Sequence, residues 1–487
     1  MAKTKKVVKQ KNNLTGIGLA LMAFTGVWSF GNICNGFGYF GGTQVIVPWL
    51  AVFVLYFLPY SLMVGELGSV FKKDEGGVGV WCFKTIGPKV AFFAGWIYWV
   101  VHMPYLTQKS NMLVVALNWI FNPEGTVKNM DVTVLQLLCL AVFLLALFLS
   151  IRGADMVKSI SKIAGIAIFV MMFLYIVMIF AAPLINPSHS GDLRSFDLTR
   201  DGLWPNDMSL LMNMSILILA VGGCEKFAPY VKSMKDPGKG FPKGMILLVI
   251  MVFATAVLGT FAMNSFYDGQ EILKDNADFL ANGQYQAFCK LGYFFGLGDW
   301  LMYAYALSNA LAQFAAIIIS IDAPLRILLG NADTDFIPKW WLKRNKYGSY
   351  PNGILVVGII VTVITLIPCL GLGDANGVVK WLIDINSICM PIRYLFVFAA
   401  YMALKAQMSK FPNEDYALTK SKGLGMFIGF WCFAITTAAI IMKMTSAPDA
   451  FQLAMNCGMP FILCGIGLLM PLFARRSTAK WKSTLKK

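Results

Sequence analysis

The stretch Leu217–Lys243, LILAVGGCEKFAPYVKSMKDPGKGFPK, interrupts an apolar helix with a glycine pair and two charged residues. After Gly222 and Gly223, it places Glu225 and Lys226 side by side at a depth where hydrocarbon is expected. Unwound backbone at membrane depth is tolerated only where it lines a cavity or is buried in protein, and a charge there is costly. An interrupted helix with charges at the break is typical of a midplane substrate site. We therefore predict that the chain is organised around this break.

The composition is that of a membrane protein. Of the 487 residues, 57% are hydrophobic and 14% are charged, and the mean hydropathy is +0.65. A soluble protein carries about a quarter charged residues. Apolar runs of about 20 residues, long enough to cross a bilayer, recur along the chain. We predict an all-α polytopic protein with twelve transmembrane helices, embedded in the lipid bilayer of the cell (inner or plasma) membrane.

The net charge of +16 comes mostly from basic residues in short segments between the apolar runs. With the N-terminus placed inside, 31 of the 41 Lys and Arg residues fall in cytoplasmic segments, seven fall outside and three fall within spans. The positive-inside rule explains this asymmetry and predicts that both termini are cytoplasmic. It also removes the reason to consider nucleic acid as a partner. With no CxxC motif and two distant histidines, the sequence predicts no metal site and no cofactor.

The predicted spans form three groups between two basic tails, residues 1–13 and 475–487. Residues 14–183 and 208–405 hold five spans each, and residues 423–474 hold two. The first span, about Leu14–Gly42, is rich in glycine and contains polar residues, so we expect a second helix break there. Breaks in spans 1 and 6 lie five spans apart. The two five-span halves therefore cross the membrane in opposite directions, which is an inverted repeat.

The break in span 1 is predicted to bind substrate through Ser29, Phe30, Gly31 and Asn32. The second half of a broken helix offers free N–H groups and the positive end of its dipole, which suit a carboxylate. Glycine also lets a ligand approach the backbone closely. The alternative is that these glycines only allow close helix packing.

The break in span 6 is predicted to bind substrate through Gly222, Gly223, Cys224, Glu225 and Lys226. Free N–H groups at the break suit a carboxylate, and Glu225 could receive an amine or a proton. Proton coupling through Glu225 is a hypothesis, because burial disfavours the charged form of a single carboxyl group. Adjacent helical residues do not face each other, so Glu225 and Lys226 are not expected to neutralise one another. The alternative is that these charges merely stabilise the break.

Other polar residues within spans are weaker candidates. Lys109 in span 3 is expected either to pair with a carboxylate such as Glu225 or to face the cavity, and Tyr105 lies near the same face. Asp322 and Arg326 are four residues apart after span 8, so we predict a gating or structural pair. Arg393 in span 10 could pair with Asp384 or line the cavity. Asn309 is a further polar candidate in span 8.

Several of these stretches resemble the amino acid–polyamine–organocation transporter superfamily, and most closely its glutamate:GABA antiporter branch. The matching stretches are LMAFTGVWSFGN (21–32), PYSLMVGELGSVFKKDEGGVGVW (59–81), GGCEKFAPYVKSMKDPGKGFPKG (222–244) and SIDAPLRILLGN (320–331). They follow one another in order along nearly the whole chain. Ser29-Phe30-Gly31-Asn32 stands where the superfamily commonly has Gly-Ser-Gly.

The resemblance implies a LeuT-like fold of two inverted five-helix repeats plus two C-terminal helices. It implies a substrate site between broken helices 1 and 6, to which helices 3, 8 and 10 contribute. Asn309 of span 8 is a candidate substrate contact for this reason. Helices 1, 2, 6 and 7 would move as a bundle against the remaining helices. The family's glutamate of helix 6 corresponds to Glu225. Members import amino acids with protons or exchange them for related amines.

We therefore predict a secondary active transporter of a small amino acid or related amine, working by alternating access as an antiporter or with protons. The alternative is a channel, or a receptor or light subunit of the same fold that does not transport. A channel would more naturally show a repeated polar stripe than two isolated breaks. No nucleophile–base pair or metal cluster is recognisable in the sequence, so an enzyme is not predicted.

Overall fold

The computed structural model describes residues 14–74, 77–122, 127–152, 158–205, 207–330, 336–371, 373–412 and 415–484. The predicted N-terminal tail, residues 1–13, lies outside these ranges. In the predicted C-terminal tail, residues 475–484 continue the last helix.

Helices account for nearly all of the regular structure in the described residues. The first ten are α1 (Gly16–Val27), α2 (Phe30–Phe40), α3 (Ile46–Val52), α4 (Leu58–Val70), α5 (Val78–Thr85), α6 (Pro88–Val100), α7 (His102–Phe121), α8 (Val132–Ile151), α9 (Lys158–Ile185) and α10 (Arg200–Leu203). The next ten are α11 (Asp207–Val221), α12 (Pro237–Asn264), α13 (Gly269–Lys274), α14 (Asn276–Phe294), α15 (Trp300–Gly330), α16 (Pro351–Leu366), α17 (Ala375–Cys389), α18 (Ile392–Ala406), α19 (Lys422–Thr445) and α20 (Ala450–Thr484). A π-helical turn, Phe53–Phe57, joins α3 to α4. The 3₁₀ segments are Gly42–Val45, Val127–Asn129, Pro187–Asp192, Cys224–Ser233, Lys339–Leu342, Ile367–Leu370 and Met408–Lys410.

These helices form the predicted polytopic membrane protein. Eleven segments of the described chain are long and apolar enough to cross a membrane, and the bent pair α1 and α2 brings the total to twelve if it counts as one span. In chain order, spans 1, 2, 3 and 10 consist of α1–α2, α3–α4, α6–α7 and α17–α18. Span 6 consists of α11 and the 3₁₀ helix Cys224–Ser233. The remaining spans are α8, α9, α12, α15, α16, α19 and α20.

Two helices besides α20 extend beyond their apolar runs. Helix α12 begins at Pro237, where Asp236 accepts a hydrogen bond from the Lys239 N–H and caps the helix start. Helix α15 continues to Gly330, so Asp322 and Arg326 lie within it. Backbone hydrogen bonding can continue a helix into water, whereas hydropathy marks only its apolar part.

Close glycine contacts hold spans 1, 2 and 7 together. A Cβ atom at Gly16 would lie 2.9 Å from the Gly240 carbonyl oxygen, and one at Gly68 would lie 2.5 Å from the Phe241 ring. Small residues allow helix backbones to approach each other in a membrane, where interhelical packing supplies much of the association energy. The element contacts agree, because α12 packs against both α1 and α4.

The start of span 1 is tied to the end of span 6 by a short parallel bridge between Leu14 and Met234. The Leu14 N–H donates to the Ser233 carbonyl oxygen at 3.1 Å, and the Lys235 N–H donates to the Leu14 carbonyl oxygen at 3.0 Å. The two interrupted spans are therefore joined by backbone hydrogen bonds at the end of the molecule that the charge pattern places inside.

The stretch 267–298, between spans 7 and 8, contains α13 and α14. Helix α14 packs against α2, α15 and α17. Its Phe279 ring lies against Gly38 of α2, where a Cβ atom would be 2.9 Å from the ring. One face of α14 is therefore part of the protein core.

Candidate functional site

The break in span 6 is made by two glycines with different roles. Helix α11 ends at Val221, and a Cβ atom at Gly222 would lie 2.1 Å from the Tyr394 hydroxyl oxygen, so only glycine fits there. Gly223 adopts φ +111°, a left-handed conformation that glycine adopts without steric cost. The chain then continues as a 3₁₀ helix from Cys224 to Ser233, long for a helix of this type. This change of helix type places Glu225 and Lys226 at the break.

The break in span 1 lies at Trp28 and Ser29, whose backbones are extended, and it bends the span by 51°. Helix α2 then begins at Phe30, so the break comes at the start of the predicted stretch, and Gly31 and Asn32 belong to the first helical turn. Ser29 occupies the N-cap position without a side-chain capping bond. The first-turn N–H groups of α2 therefore lack the usual side-chain acceptor.

Asn32 connects the two breaks. Its side-chain amide donates to the Val27 carbonyl oxygen at 3.2 Å and to the Ala220 carbonyl oxygen at 3.4 Å. Each acceptor lies at the end of the helix that precedes a break, where carbonyl groups lack partners within the helix. Asn32 was predicted as a substrate contact, and the structure places its amide between the backbones of spans 1 and 6.

The carboxylate of Glu225 is enclosed by two partners from other spans. The Tyr60 hydroxyl of α4 donates a short hydrogen bond to Oε2, and Arg393 Nε of α18 lies 3.4 Å from Oε1. The Arg393 and Glu225 side chains are 1% and 0% exposed, respectively. Arg393 is therefore the counter-ion of Glu225. It does not pair with Asp384, which instead lies 2.6 Å from Lys443 Nζ.

The guanidinium of Arg393 is held on its other sides by neutral groups. Its Nη1 donates to His102 Nε2 at 3.3 Å, and its Nη2 donates to the Tyr394 hydroxyl at 3.3 Å. His102 Nδ1 lies 2.6 Å from the Tyr98 carbonyl oxygen, an acceptor that requires the proton on Nδ1. His102 Nε2 is then free to accept from Arg393, so His102 is a neutral partner in this arrangement.

Two lysines near this ion pair have no carboxylate partner in the described part of the chain. Lys226 is half-buried and folds back toward the break, with Nζ 3.3 Å from where a Cβ atom on Gly223 would lie. Lys109 is also half-buried, and its Nζ lies 5.0 Å from the centre of the Tyr105 ring, a cation–π contact. Arg393 and Lys109 both lie within electrostatic range of Lys226. Three basic side chains thus accompany a single carboxylate, that of Glu225, at this break.

Other predicted substrate contacts lie on the side of the site toward α14 and α15. The Phe30 ring packs against Tyr175, Phe288 and Tyr305. Asn309 is buried and donates to the Tyr285 hydroxyl at 2.7 Å, and its side-chain oxygen accepts from Gln313 at 2.8 Å. In the arrangement observed here, these side chains are engaged with protein groups. Their role in binding stays a prediction.

The remaining predicted residues have clear local contacts. Cys224 is buried, and its sulfur accepts a hydrogen bond from the Ser61 hydroxyl at 3.9 Å. Asp322 and Arg326 form an ion pair on α15, with Arg326 Nε 2.5 Å from Asp322 Oδ2. Asp322 is buried, whereas the Arg326 side chain is 43% exposed. The gating role of this pair stays a prediction.

Sequence reasoning did not identify several side chains that enclose the Glu225–Arg393 pair. Tyr60, Tyr98 and Tyr394 all contact the Glu225–Arg393 pair, yet each lies in an apolar span where tyrosine is ordinary. The sequence offers one signal of this network, which is Arg393 itself. An arginine deep within a membrane span requires a partner. The identity of that partner depends on how spans 6 and 10 pack together.

Comparison with known proteins agrees with this architecture. The family model described as amino acid permease matches residues 14–467. The aspartate/glutamate permease AcaP of Lactococcus lactis subsp. cremoris (strain MG1363) is 42% identical over 471 residues, which cover 95% of this chain and 95% of that protein. The inner membrane transporter YjeM of Salmonella typhimurium is 23% identical over 88% of each chain. A glutamate/gamma-aminobutyrate antiporter of Lactococcus lactis subsp. lactis is 23% identical over 79% of this chain and 76% of that protein.

These matches confirm the superfamily that the sequence stretches indicated, and they favour a transporter over a channel or a receptor that does not transport. The antiporter branch is more distant from this chain than the aspartate/glutamate permease is. The family model matches residues 14–467, and spans 1 and 6 are both interrupted, so one family assignment accounts for the sequence and the fold. The chain belongs to the amino acid permease family of the amino acid–polyamine–organocation superfamily, and it is a secondary transporter, not an enzyme.

Proposed function

We propose that this permease carries an acidic amino acid, of the aspartate and glutamate class. The observation that supports this substrate is the surplus of basic side chains over carboxylates at the break of span 6. Glu225 is paired with Arg393, so Lys226 and Lys109 have no carboxylate partner among the described residues. An acidic amino acid carries one net negative charge at neutral pH and would supply the carboxylate that these two basic side chains lack. The 42% identical aspartate/glutamate permease supports the same class.

The two breaks offer complementary places for such a substrate. We place one carboxylate near the first turn of α2, at Ser29 and Gly31, where N–H groups and the helix dipole favour an anion. The second carboxylate lies toward Lys226 and Lys109, which have no other carboxylate partner among the described residues. In this arrangement Arg393 and Glu225 form the wall of the site.

Transport is proposed to use alternating access of two inverted five-span halves, residues 14–183 and 208–405. The interrupted spans 1 and 6 hold corresponding positions in the two halves. Spans 1, 2 and 7 pack closely through glycines, which supports their movement as one unit. The charge pattern supports insertion in the cell membrane with cytoplasmic termini.

Energy coupling is proposed to occur either by exchange or with protons. The 23% identical glutamate/gamma-aminobutyrate antiporter supports exchange, including exchange for an amine. The prediction that Glu225 itself carries a proton has a structural cost. Protonation of Glu225 would leave Arg393 buried without its counter-ion, and an uncompensated buried charge is strongly destabilising.

The test of the substrate class is counterflow in proteoliposomes that contain the purified protein. Vesicles preloaded with unlabelled aspartate or glutamate are expected to accumulate labelled aspartate. Labelled arginine and labelled γ-aminobutyrate serve as the cationic and zwitterionic comparison substrates. Replacing both Lys109 and Lys226 with methionine is expected to raise the half-saturation concentration for aspartate by about tenfold or more, the effect of losing a charge-assisted hydrogen bond. The matched control is Lys162→Met, because Lys162 is exposed near the start of α9.

The outcomes separate the possibilities. Counterflow of arginine without counterflow of aspartate would contradict the proposed substrate class. Accumulation only when an amine is loaded inside would establish the exchange mode, and accumulation into empty vesicles under an imposed pH gradient would establish proton coupling.

A further inference from the structure

Lys226 is the charged group at the break of span 6 to which the described residues offer no ion pair, hydrogen bond or cation–π contact, unlike Glu225, Arg393 and Lys109. It belongs to the first turn of the 3₁₀ helix, directly after the only carboxylate in this group, Glu225. That carboxylate is already engaged by Arg393 and by the Tyr60 hydroxyl. Lys226 forms no hydrogen bond or ion pair with the residues that the structure describes, so its ammonium form would be half-buried among cations without compensation.

The groups that face Lys226 come from several elements. Its own segment contributes Glu225 and Cys224, α7 contributes Lys109 and His102, and α18 contributes Arg393. Helix α4 contributes Tyr60 through its bond to Glu225. Of the other helices packed against this segment, α1 has no titratable residue, and the titratable residues of α12 are lysines in its first two turns. None of these groups supplies Lys226 with a second anion.

Each of the other basic side chains has contacts that define its protonation state. Arginine does not lose its proton in proteins, and Arg393 has the Glu225 counter-ion. The ammonium of Lys109 lies over the Tyr105 ring, which stabilises a cation. The hydrogen bonds of His102 already define a neutral imidazole. Lysine shifts its protonation readily when it is buried, and Lys226 lacks each of these compensations.

Resting on the proposed function, we propose that Lys226 is the proton carrier of this transporter, neutral when the site is empty and protonated when an acidic amino acid is bound. The amine of Lys226 takes one proton from the side to which the site is open, forming an ammonium beside the substrate carboxylate. When the substrate leaves on the other side, the ammonium releases that proton there. Proton and substrate binding favour each other, as linkage requires.

This mechanism predicts the net charge that crosses the membrane in each transport cycle. Aspartate carries one net negative charge and Lys226 gains one positive charge, so net symport moves no charge. An imposed pH gradient is expected to drive aspartate accumulation into empty vesicles. A potassium diffusion potential imposed at equal pH is expected to have no effect.

The first test counts protons on binding. Isothermal titration of aspartate into the purified protein, in two buffers with different ionisation enthalpies, is expected to show uptake of about one proton per aspartate bound. In Lys226→Arg the side chain stays charged, so proton uptake is expected to fall to zero, together with dependence on the pH gradient. The matched variant Lys162→Arg is expected to retain proton uptake, because Lys162 is exposed near the start of α9. Unchanged proton uptake in Lys226→Arg would overturn the proposal and would favour Glu225 instead.

A second measurement keeps the proposal testable if Lys226→Arg does not bind aspartate. Reductive ¹³C-methylation of the wild-type protein gives each lysine a methyl signal that reports its protonation, and the signal lost in Lys226→Met identifies Lys226. That signal is expected to be that of a neutral amine without substrate at pH 7.5 and to shift to that of a charged amine with aspartate. A charged signal in both states would overturn the proposal. If the wild-type protein binds no acidic amino acid, the proposed substrate class fails, a result distinct from failure of the Lys226 assignment alone.

Discussion

At the residue scale, the site depends on two adjacent glycines that are required for different reasons. Gly223 supplies a backbone conformation with φ +111°, whereas Gly222 supplies space. The space at Gly222 is taken by Tyr394, whose hydroxyl in turn receives a hydrogen bond from Arg393. The packing of one glycine therefore helps to position the counter-ion of Glu225.

Replacing Gly222 with alanine is expected to destabilise the protein and to reduce aspartate counterflow. The new Cβ atom would lie 2.1 Å from the Tyr394 hydroxyl oxygen and 2.3 Å from its ring, so Tyr394 must move and Arg393 with it. Overpacking of this kind costs about 1–3 kcal/mol. The thermal unfolding midpoint in detergent and the counterflow rate measure the effect.

The control for that variant is Gly465→Ala in α20, where nothing lies within 4 Å of a new Cβ atom. Alanine favours a helix over glycine, so this variant should be at least as stable as the wild type. A Gly222→Ala protein with wild-type stability and transport would show that Tyr394 does not hold Arg393 in place.

At the element scale, a buried ion pair links α4 to α18 near the end of the molecule that the charge pattern places inside. Lys405 Nζ of α18 lies 2.5 Å from Glu66 Oε1 of α4, and neither residue is more than 5% exposed. Glu66 Oε2 also accepts from the Tyr401 hydroxyl at 3.1 Å and from the Leu418 N–H at 2.9 Å. The hydrogen bond from Leu418 therefore holds the segment between α18 and α19 against span 2. The sequence alone does not predict this pair, because Lys405 and Glu66 lie 339 residues apart along the chain.

Replacing Lys405 with methionine is expected to destabilise the protein by about 3–5 kcal/mol, because Glu66 is left as a buried charge without a cation. Adding Glu66→Gln to the same protein should recover much of this loss, since glutamine retains hydrogen bonding without the charge. Unfolding midpoints of the single and double variants measure the recovery. Equal losses in the single and double variants would mean that the Lys405 stem, which packs against Gly425, matters more than the charge.

At the scale of the whole molecule, three buried polar side chains join separate spans at the opposite end. Asp384 of α17 accepts from the Tyr39 hydroxyl of α2 at 2.7 Å and lies 2.6 Å from Lys443 Nζ of α19. Lys443 lies in the last turn of α19 and is 6% exposed. Together with the bridge between Leu14 and Met234, this cluster connects span 1 to its neighbours at both ends.

The orientation of the molecule can be tested with a native cysteine. Of the ten cysteines, all in the described part of the chain, Cys369 alone is exposed, and it follows α16 on the side predicted to be outside. A membrane-impermeant maleimide is expected to label Cys369 in intact cells, and Cys369→Ser should remove most of this labelling.

The matched control introduces Tyr347→Cys into the Cys369→Ser protein, because Tyr347 is 52% exposed in the segment before α16, on the side predicted to be inside. This cysteine is expected to react only after the cells are permeabilised. The reverse pattern would mean that the termini lie outside.

Local properties of the chain determined the spans, the break at Gly222 and Gly223, and the second break beside Ser29. Hydropathy marks apolar runs, glycine weakens helices wherever it occurs, and basic residues mark the predicted inside, so each of these features is readable from neighbouring residues. The sequence alone does not reveal which charged side chains form ion pairs. Arg393 pairs with Glu225, Asp384 with Lys443, and Glu66 with Lys405. These partners are distant in sequence and are brought together only by helix packing. Tertiary structure alone therefore decided that Lys226 and Lys109 are left without a carboxylate partner among the described residues.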